Sequence, residues 1–211
     1  MPRVTYLYDP LCGWCYGASA AVRDVAAQPG VSVAALPTGL FSGAGARRMD
    51  AGLAGYAWSN DQRIARLTGA AFTETYRREV LGAIGGAFDS GPATLALTAV
   101  ARMDPARELE ALAAVQRARY VDGRDIADTA VLGDVLRTLG LDGAADALAV
   151  PDDGLLDARR GRVAQAQRLM AGLGLSGVPA LALTGGDAVR ALPSGLLFGD
   201  RAALLAVFEA G

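Results

Sequence analysis

The rhythm of apolar and polar positions changes twice along the 211 residues, dividing them into three segments. From Arg3 to Tyr8, Val4, Tyr6 and Tyr8 alternate with Thr5 and Leu7. The β-branched and aromatic content of this run predicts a strand. Asp9-Pro10 breaks it. Cys12 to Gln28 is alanine-rich and free of proline, which predicts a helix ended by Pro29-Gly30. Val31–Leu36 then predicts a second buried strand. Strand, helix and strand so close together form a βαβ unit, with parallel strands and a right-handed crossover.

The middle differs in kind. From about Gly45 to Leu173 no strand alternation stands out, and helical spacing repeats instead. Val131, Leu132, Val135, Leu136 and Leu139 mark one apolar face. Asp104-Pro105 predicts an N-cap with proline at the first helical position, opening a helix through Leu109 and Leu112. Asp152 or Asp153 is expected to cap another helix, with Leu156, Val163 and Met170 on a core stripe. After Gly177 strand character returns: Ala180–Thr184, a turn at Gly185-Gly186 or Gly186-Asp187, and Val189–Leu192 pairing back as a hairpin. Asp200 caps a closing helix with Leu204 and Phe208 on one face. The expected architecture is α/β, with a large all-helical insertion between βαβ and ββα halves. Its divisions are 1–44 with 174–211 for the α/β domain, and 45–173 for the insertion.

Composition narrows the chemistry. The chain is 52% hydrophobic and 20% charged, enough for an ordinary core. Its net charge of −2 argues against binding to nucleic acid or to an anionic membrane. Arginines pair at Arg47-Arg48, Arg77-Arg78 and Arg159-Arg160, which are expected on solvated helix faces. The uncharged stretches Val25–Ala46 and Leu169–Gly186 are broken by proline and glycine, so neither predicts a spanning helix. Val4–Tyr8 is too short for a signal-peptide core, and a cytoplasmic location is expected. There is no histidine, and all 20 basic residues are arginine. Imidazole bases, His-ligated metals, Schiff-base lysines and phosphate-loop lysines are therefore excluded.

What remains centres on Cys12-Gly13-Trp14-Cys15, at the junction of the first strand and the first helix. Three readings compete. Zinc needs four ligands where the motif supplies two thiolates, and no metal site is expected. Two inert buried cysteines are the second reading, weakened by the expectation that a strand–helix junction is seldom buried. The third is a redox dithiol. In a first helical turn, residues i and i+3 lie about 5 Å apart at Cα, within reach of a disulfide. Cys12 at the helix start faces unpaired N–H groups that favour the attacking thiolate. Cys15, one turn deeper, is placed to resolve a mixed disulfide. Far along the chain, Val178-Pro179 precedes the strand Ala180–Thr184. The residues alone read that proline as an ordinary trans residue opening an edge strand.

Tyr8-Asp9-Pro10-Leu11-Cys12-Gly13-Trp14-Cys15-Tyr16-Gly17, together with Gly177-Val178-Pro179-Ala180, resembles the DsbA family of thiol–disulfide oxidoreductases. The likeness is to its cytosolic branch of protein-disulfide isomerase-like members. Leu36-Pro37-Thr38-Gly39-Leu40, Trp58, Thr68-Gly69 with Phe72, Asp89-Ser90-Gly91-Pro92-Ala93, Gln116-Arg117-Ala118 and Gly123-Arg124-Asp125 extend it through the middle. The resemblance implies a thioredoxin fold carrying a helical insertion. It also implies that Pro179 is cis beside the dithiol and that Val178 offers its backbone to a substrate strand. Expected partners are protein or peptide thiols and disulfides, with glutathione or a thioredoxin-type reductant as electron partner. No cofactor beyond the redox-active disulfide is expected. The dipeptide Gly13-Trp14 lacks the histidine of strongly oxidising members, which leaves the direction of catalysis open. Trp14 reads either as a rim aromatic or as a ring packed on the helical block. Two other functions compete: a glutathione-dependent isomerase or transferase, and a non-catalytic chaperone-like binding module.

Overall fold

The computed structural model describes residues 3–185 and 188–209. Along the chain run β1 (Arg3–Tyr8), α1 (Gly13–Gly17), α2 (Ser19–Ala26), β2 (Ser32–Pro37) and the two-residue β3 (Arg47–Arg48). There follow α3 (Ala51–Thr68), α4 (Glu74–Tyr76) leading into a π turn over Arg77–Leu81, the short β4 (Ala87–Phe88) and α5 (Gly91–Met103). Next come α6 (Glu108–Tyr120), α7 (Thr129–Thr138), α8 (Asp142–Ala149) and α9 (Asp153–Gly172). The chain closes with β5 (Ala180–Gly185), β6 (Ala188–Ala191) and α10 (Arg201–Glu209).

The main sheet has the order β2-β1-β5-β6. β1 pairs parallel with β2 and antiparallel with β5, and β6 folds back on β5. The N-terminal βαβ unit and the C-terminal hairpin thus share one sheet, as the alternation predicts. The turn expected at Gly185-Gly186 or Gly186-Asp187 falls partly outside the described residues. Side-chain alternation on β1 sends Val4, Tyr6 and Tyr8 to the face covered by Val22 and Val25 of α2. Leu7 goes to the other face, with Leu36, Ala180 and Ala166 of α9. α10 closes the first face with Leu204 and Phe208, and its Ala202 N–H is capped by Asp200 at 2.9 Å.

In the helical block, α5 is apolar all round and buried from Ala93 to Val100, so α6, α7, α8 and α9 pack about it. The face marked by Leu132, Val135 and Leu136 is buried in α7 as its spacing predicts.

Several expectations need correction. The helix read over Cys12–Gln28 is two helices, with Ala18 between them. The middle is not free of strands, since β3 and β4 form a small antiparallel ribbon. Asp104 makes no side-chain cap, because its backbone leads into a 3-10 turn over Pro105–Arg107 before α6 begins. Asp152 does cap α9, accepting from Leu155 N–H at 2.6 Å. Leu156, Val163 and Met170 are only half-buried, because α9 buries Leu155 and Ala166 while its other flank borders open grooves.

Candidate active site

The delivery of Cys12 begins at Asp9, where β1 ends. Asp9 is fully buried, and its carboxylate accepts from Leu11 N–H at 2.9 Å, Phe41 N–H at 3.1 Å and Ser90 Oγ at 2.8 Å. Burial pushes its carboxyl upward, and these donors act against that. The Asp9 carbonyl accepts from Cys12 N–H at 3.1 Å, and the Leu11 carbonyl accepts from the Tyr120 hydroxyl at 2.8 Å. Ser90 and Tyr120 belong to the helical block, so that block fixes the loop presenting the nucleophile. From the chain alone Asp9 is a strand breaker within the family-like motif, and its buried anchoring role is seen only in the fold.

Cys12 is the N-cap of α1, and Cys15 N–H donates to its Sγ at 3.4 Å. On its other side the Cys12 Sγ donates to the Val178 carbonyl at 3.7 Å. The Val178-Pro179 peptide bond is cis, which the residues alone did not favour and the family resemblance implied. Both cysteines are buried: Cys12 is 6% exposed and Cys15 not at all. The expectation of an open strand–helix junction is thus wrong. The Val178 segment and the helical block cover it, and exposure does not separate a redox pair from an inert one. The asymmetry within the pair does. Cys12 lines a cavity of about 200 Å³, whereas Cys15 is sealed beneath it. Burial, and then the neighbouring Cys12, push the Cys15 thiol well above its ordinary range.

The cavity is walled by Phe41, Tyr56, Ala57, Ile64, Phe88 and Tyr120, with Arg47, Asn60 and Asp61 as its polar groups beside Cys12. Arg47, read as part of a solvated helix face, sits instead on strand β3 at this wall. Asp61 escaped sequence reading altogether, because no motif marks it. It is 4% exposed, its Oδ2 accepts from the Tyr76 hydroxyl at 2.9 Å, and burial raises its titration to about 6. A Cβ on Gly13 would overlap Asp61 Oδ1, and one on Gly17 would overlap the Ile64 side chain. The dipeptide therefore needs glycine where α1 meets α3.

Trp14 combines features of both readings. It is half-buried, borders the Cys12 cavity and a second groove along Leu175–Pro179, and stacks edge-on against Phe198 at 5.1 Å. The Arg63 guanidinium of α3 lies 5.6 Å over its ring. The structure thus brings Cys12, Cys15, Gly13, Trp14, Val178 and Pro179 to one place across 166 residues of chain. Among the described residues, no three Cys, Asp or Glu side chains converge as a metal centre, and no helix is long and apolar enough to cross a membrane.

Comparisons with known proteins agree with this arrangement. No curated protein sequence matches the chain significantly. Among solved structures, the cytosolic disulfide reductase DsbM from Pseudomonas aeruginosa superimposes with a TM-score of 0.88 at 35% identity, covering 99% of this chain and 97% of its own. The same reductase with GSH gives 0.85 at 35% identity, covering 99% of this chain and 98% of its own. A 2-hydroxychromene-2-carboxylate isomerase reaches 0.61 at 15% identity, covering 99% and 97%, and shares the fold alone. The DSBA-like thioredoxin domain matches residues 3–201. With that match running almost end to end and the dithiol held at the cis-proline segment, the chain belongs to the family of DSBA-like thioredoxin domains.

Proposed function

We propose that the protein is a thiol–disulfide oxidoreductase in which Cys12 attacks and Cys15 resolves. The observation that carries this reading is the asymmetry of the pair. Cys12 faces a cavity and receives the Cys15 N–H, while burial pushes the Cys15 thiol well above its ordinary range. The Cys12 thiolate attacks one sulfur of a substrate disulfide, forms a mixed disulfide and expels the other sulfur as a thiolate. Cys15 then attacks Cys12 Sγ, the second substrate thiolate leaves, and the Cys12–Cys15 disulfide closes. Two electrons pass to the substrate, and the protons of the two cysteines go to its two sulfurs. Two equivalents of a small thiol restore the dithiol by the reverse exchanges.

Glutathione is the electron partner we infer, supported by the DsbM structure with GSH. Protein or peptide disulfides are the inferred substrates. Val178 and Pro179 border a groove of about 710 Å³ where an extended chain can lie next to Cys12. The inferred compartment is the cytoplasm, as for the cytosolic reductase. The isomerase fold relation keeps a glutathione-dependent isomerase as the alternative, which needs only one nucleophile.

The test is insulin-disulfide reduction with glutathione. Cys12→Ser is expected to abolish it. Cys15→Ser should accumulate a mixed disulfide on Cys12, visible as added glutathione mass. Activity surviving in Cys12→Ser would overturn the proposal, and turnover of a small electrophile by Cys15→Ser would favour the isomerase.

A further inference from the structure

Asp61 faces the Cys12 cavity from α3, and the exchange steps above give it no task. Its Oδ2 is held by Tyr76, and its Oδ1 lies where a side chain at position 13 would begin. The dipeptide carries no charge of its own, and the Asp61 carboxylate lies against Gly13 on the wall of the Cys12 cavity. The other titratable or charged groups around Asp61 are Tyr76 of α4, Arg119 and Tyr120 of α6, Arg47 of β3, Tyr56 of α3 and Cys12 itself. Arg119 is fully buried against the rings of Tyr76, Phe88 and Tyr120, and attracts the carboxylate. Burial outweighs that attraction, so Asp61 changes charge at about pH 6.

Resting on the dithiol reading, we infer that Asp61 is a positioning residue that sets the direction of the couple: its carboxylate, against Gly13 on the wall of the cavity that Cys12 lines, makes the dithiol a stronger reductant. An anion next to Cys12 destabilises the thiolate and leaves the uncharged disulfide untouched. Consider the exchange in which the Cys12–Cys15 disulfide and two glutathione thiols give the dithiol and oxidised glutathione. Two electrons and two protons move from glutathione to the protein. Destabilising the Cys12 thiolate shifts this equilibrium toward the protein disulfide, so the reduced protein gives up its electrons more readily. The effect requires Asp61 to be charged and Cys12 to ionise, so it grows with pH and vanishes below the Asp61 titration.

The test is the redox equilibrium of the full chain against glutathione at pH 5, 7 and 8, for wild type, Asp61→Asn and Tyr76→Phe. At pH 8 the Asn variant is expected to have an equilibrium constant toward the dithiol about tenfold larger, a potential about 30 mV higher. At pH 5 it should coincide with wild type. Tyr76→Phe removes a hydrogen bond that favours the carboxylate, so Asp61 keeps its proton to higher pH. At pH 7 that variant should move toward Asp61→Asn, a shift that a purely structural role would not produce. In a Cys15→Ser background, Asp61→Asn should also quicken alkylation of Cys12 at pH 7. Equal constants for wild type and Asp61→Asn at pH 8 would overturn the inference. A protein that never equilibrates with glutathione would overturn the dithiol reading instead.

Discussion

At the scale of single residues, burial decides which groups hold their protons. Asp61 titrates at about 6, above the ~3.9 of an unfolded chain, because its charge is held away from water. Between these two values the folded state retains a proton that the unfolded chain has already lost. The stability contributed by Asp61 therefore falls as pH rises from about 4 to about 6, and stays low above that. Asp61→Asn keeps an acceptor for Tyr76 and removes the buried charge. It is expected to be more stable than wild type at pH 8 by about 2–3 kcal/mol, and to match it below about pH 4. Urea denaturation at the two pH values checks this, and a variant less stable at pH 8 would contradict it. Cys15 shows the same physics in a thiol, where a sealed site makes the second cysteine wait for the first.

Among elements, the contact of α1 with α3 is the decisive one. Gly13 and Gly17 lie four residues apart on one helical face, and each meets α3 without room for a methyl group. Gly17→Ala would drive its Cβ into the fully buried Ile64 side chain, which would have to shift. Its cost should be about 1–3 kcal/mol, seen as a lower urea midpoint with an unchanged slope. Gly13→Ala should cost a similar ~1–3 kcal/mol, and most of that cost should vanish in an Asp61→Ala background. Such a double-mutant cycle with no coupling would show that the two residues do not meet. Close packing of glycine against a carboxylate thus places Asp61 on the wall of the cavity that Cys12 lines, and ties the dipeptide to the helical block.

For the molecule as a whole, a buried polar junction joins the sheet to the helices. Arg162 of α9 donates to the Ala35 carbonyl of β2 at 2.8 Å and to Glu108 Oε1 of α6 at 2.5 Å. The Tyr8 hydroxyl of β1 donates to the same Glu108 oxygen at 3.0 Å. Burial pushes the Glu108 carboxyl up, and Arg162 opposes that push. Arg162→Met would leave Glu108 charged and unpaired in the interior, costing about 3–5 kcal/mol. Adding Glu108→Gln should recover part of the loss, which denaturation of the single and double variants measures. The N-terminal strands β1 and β2 and the helical block meet at this junction.

The sequence of segments, βαβ, helical block and ββα, and the dithiol itself were legible from the chain alone, whereas the break at Ala18 and the β3–β4 ribbon were not. Strand alternation and helical periodicity are local, and a disulfide-compatible i, i+3 spacing is a property of one helical turn. Asp200 and Asp152 are read as caps for the same reason and do cap, while the cap read at Asp104 fails because its backbone leads into a 3-10 turn. Val178-Pro179 was legible alone only as a proline opening a strand, and its place beside Cys12 came through family likeness, since no local rule brings residue 178 to residue 12. Asp61 carried no motif, and one aspartate in a helix is ordinary until its neighbours are known. Only tertiary packing decided that the cysteines are covered, that Arg47 borders their cavity and that a half-buried Trp14 leans on Phe198. It also decided that a carboxylate meets the motif. Burial and electrostatic environment depend on atoms far apart in sequence, whereas the residues that can exchange a disulfide are written side by side.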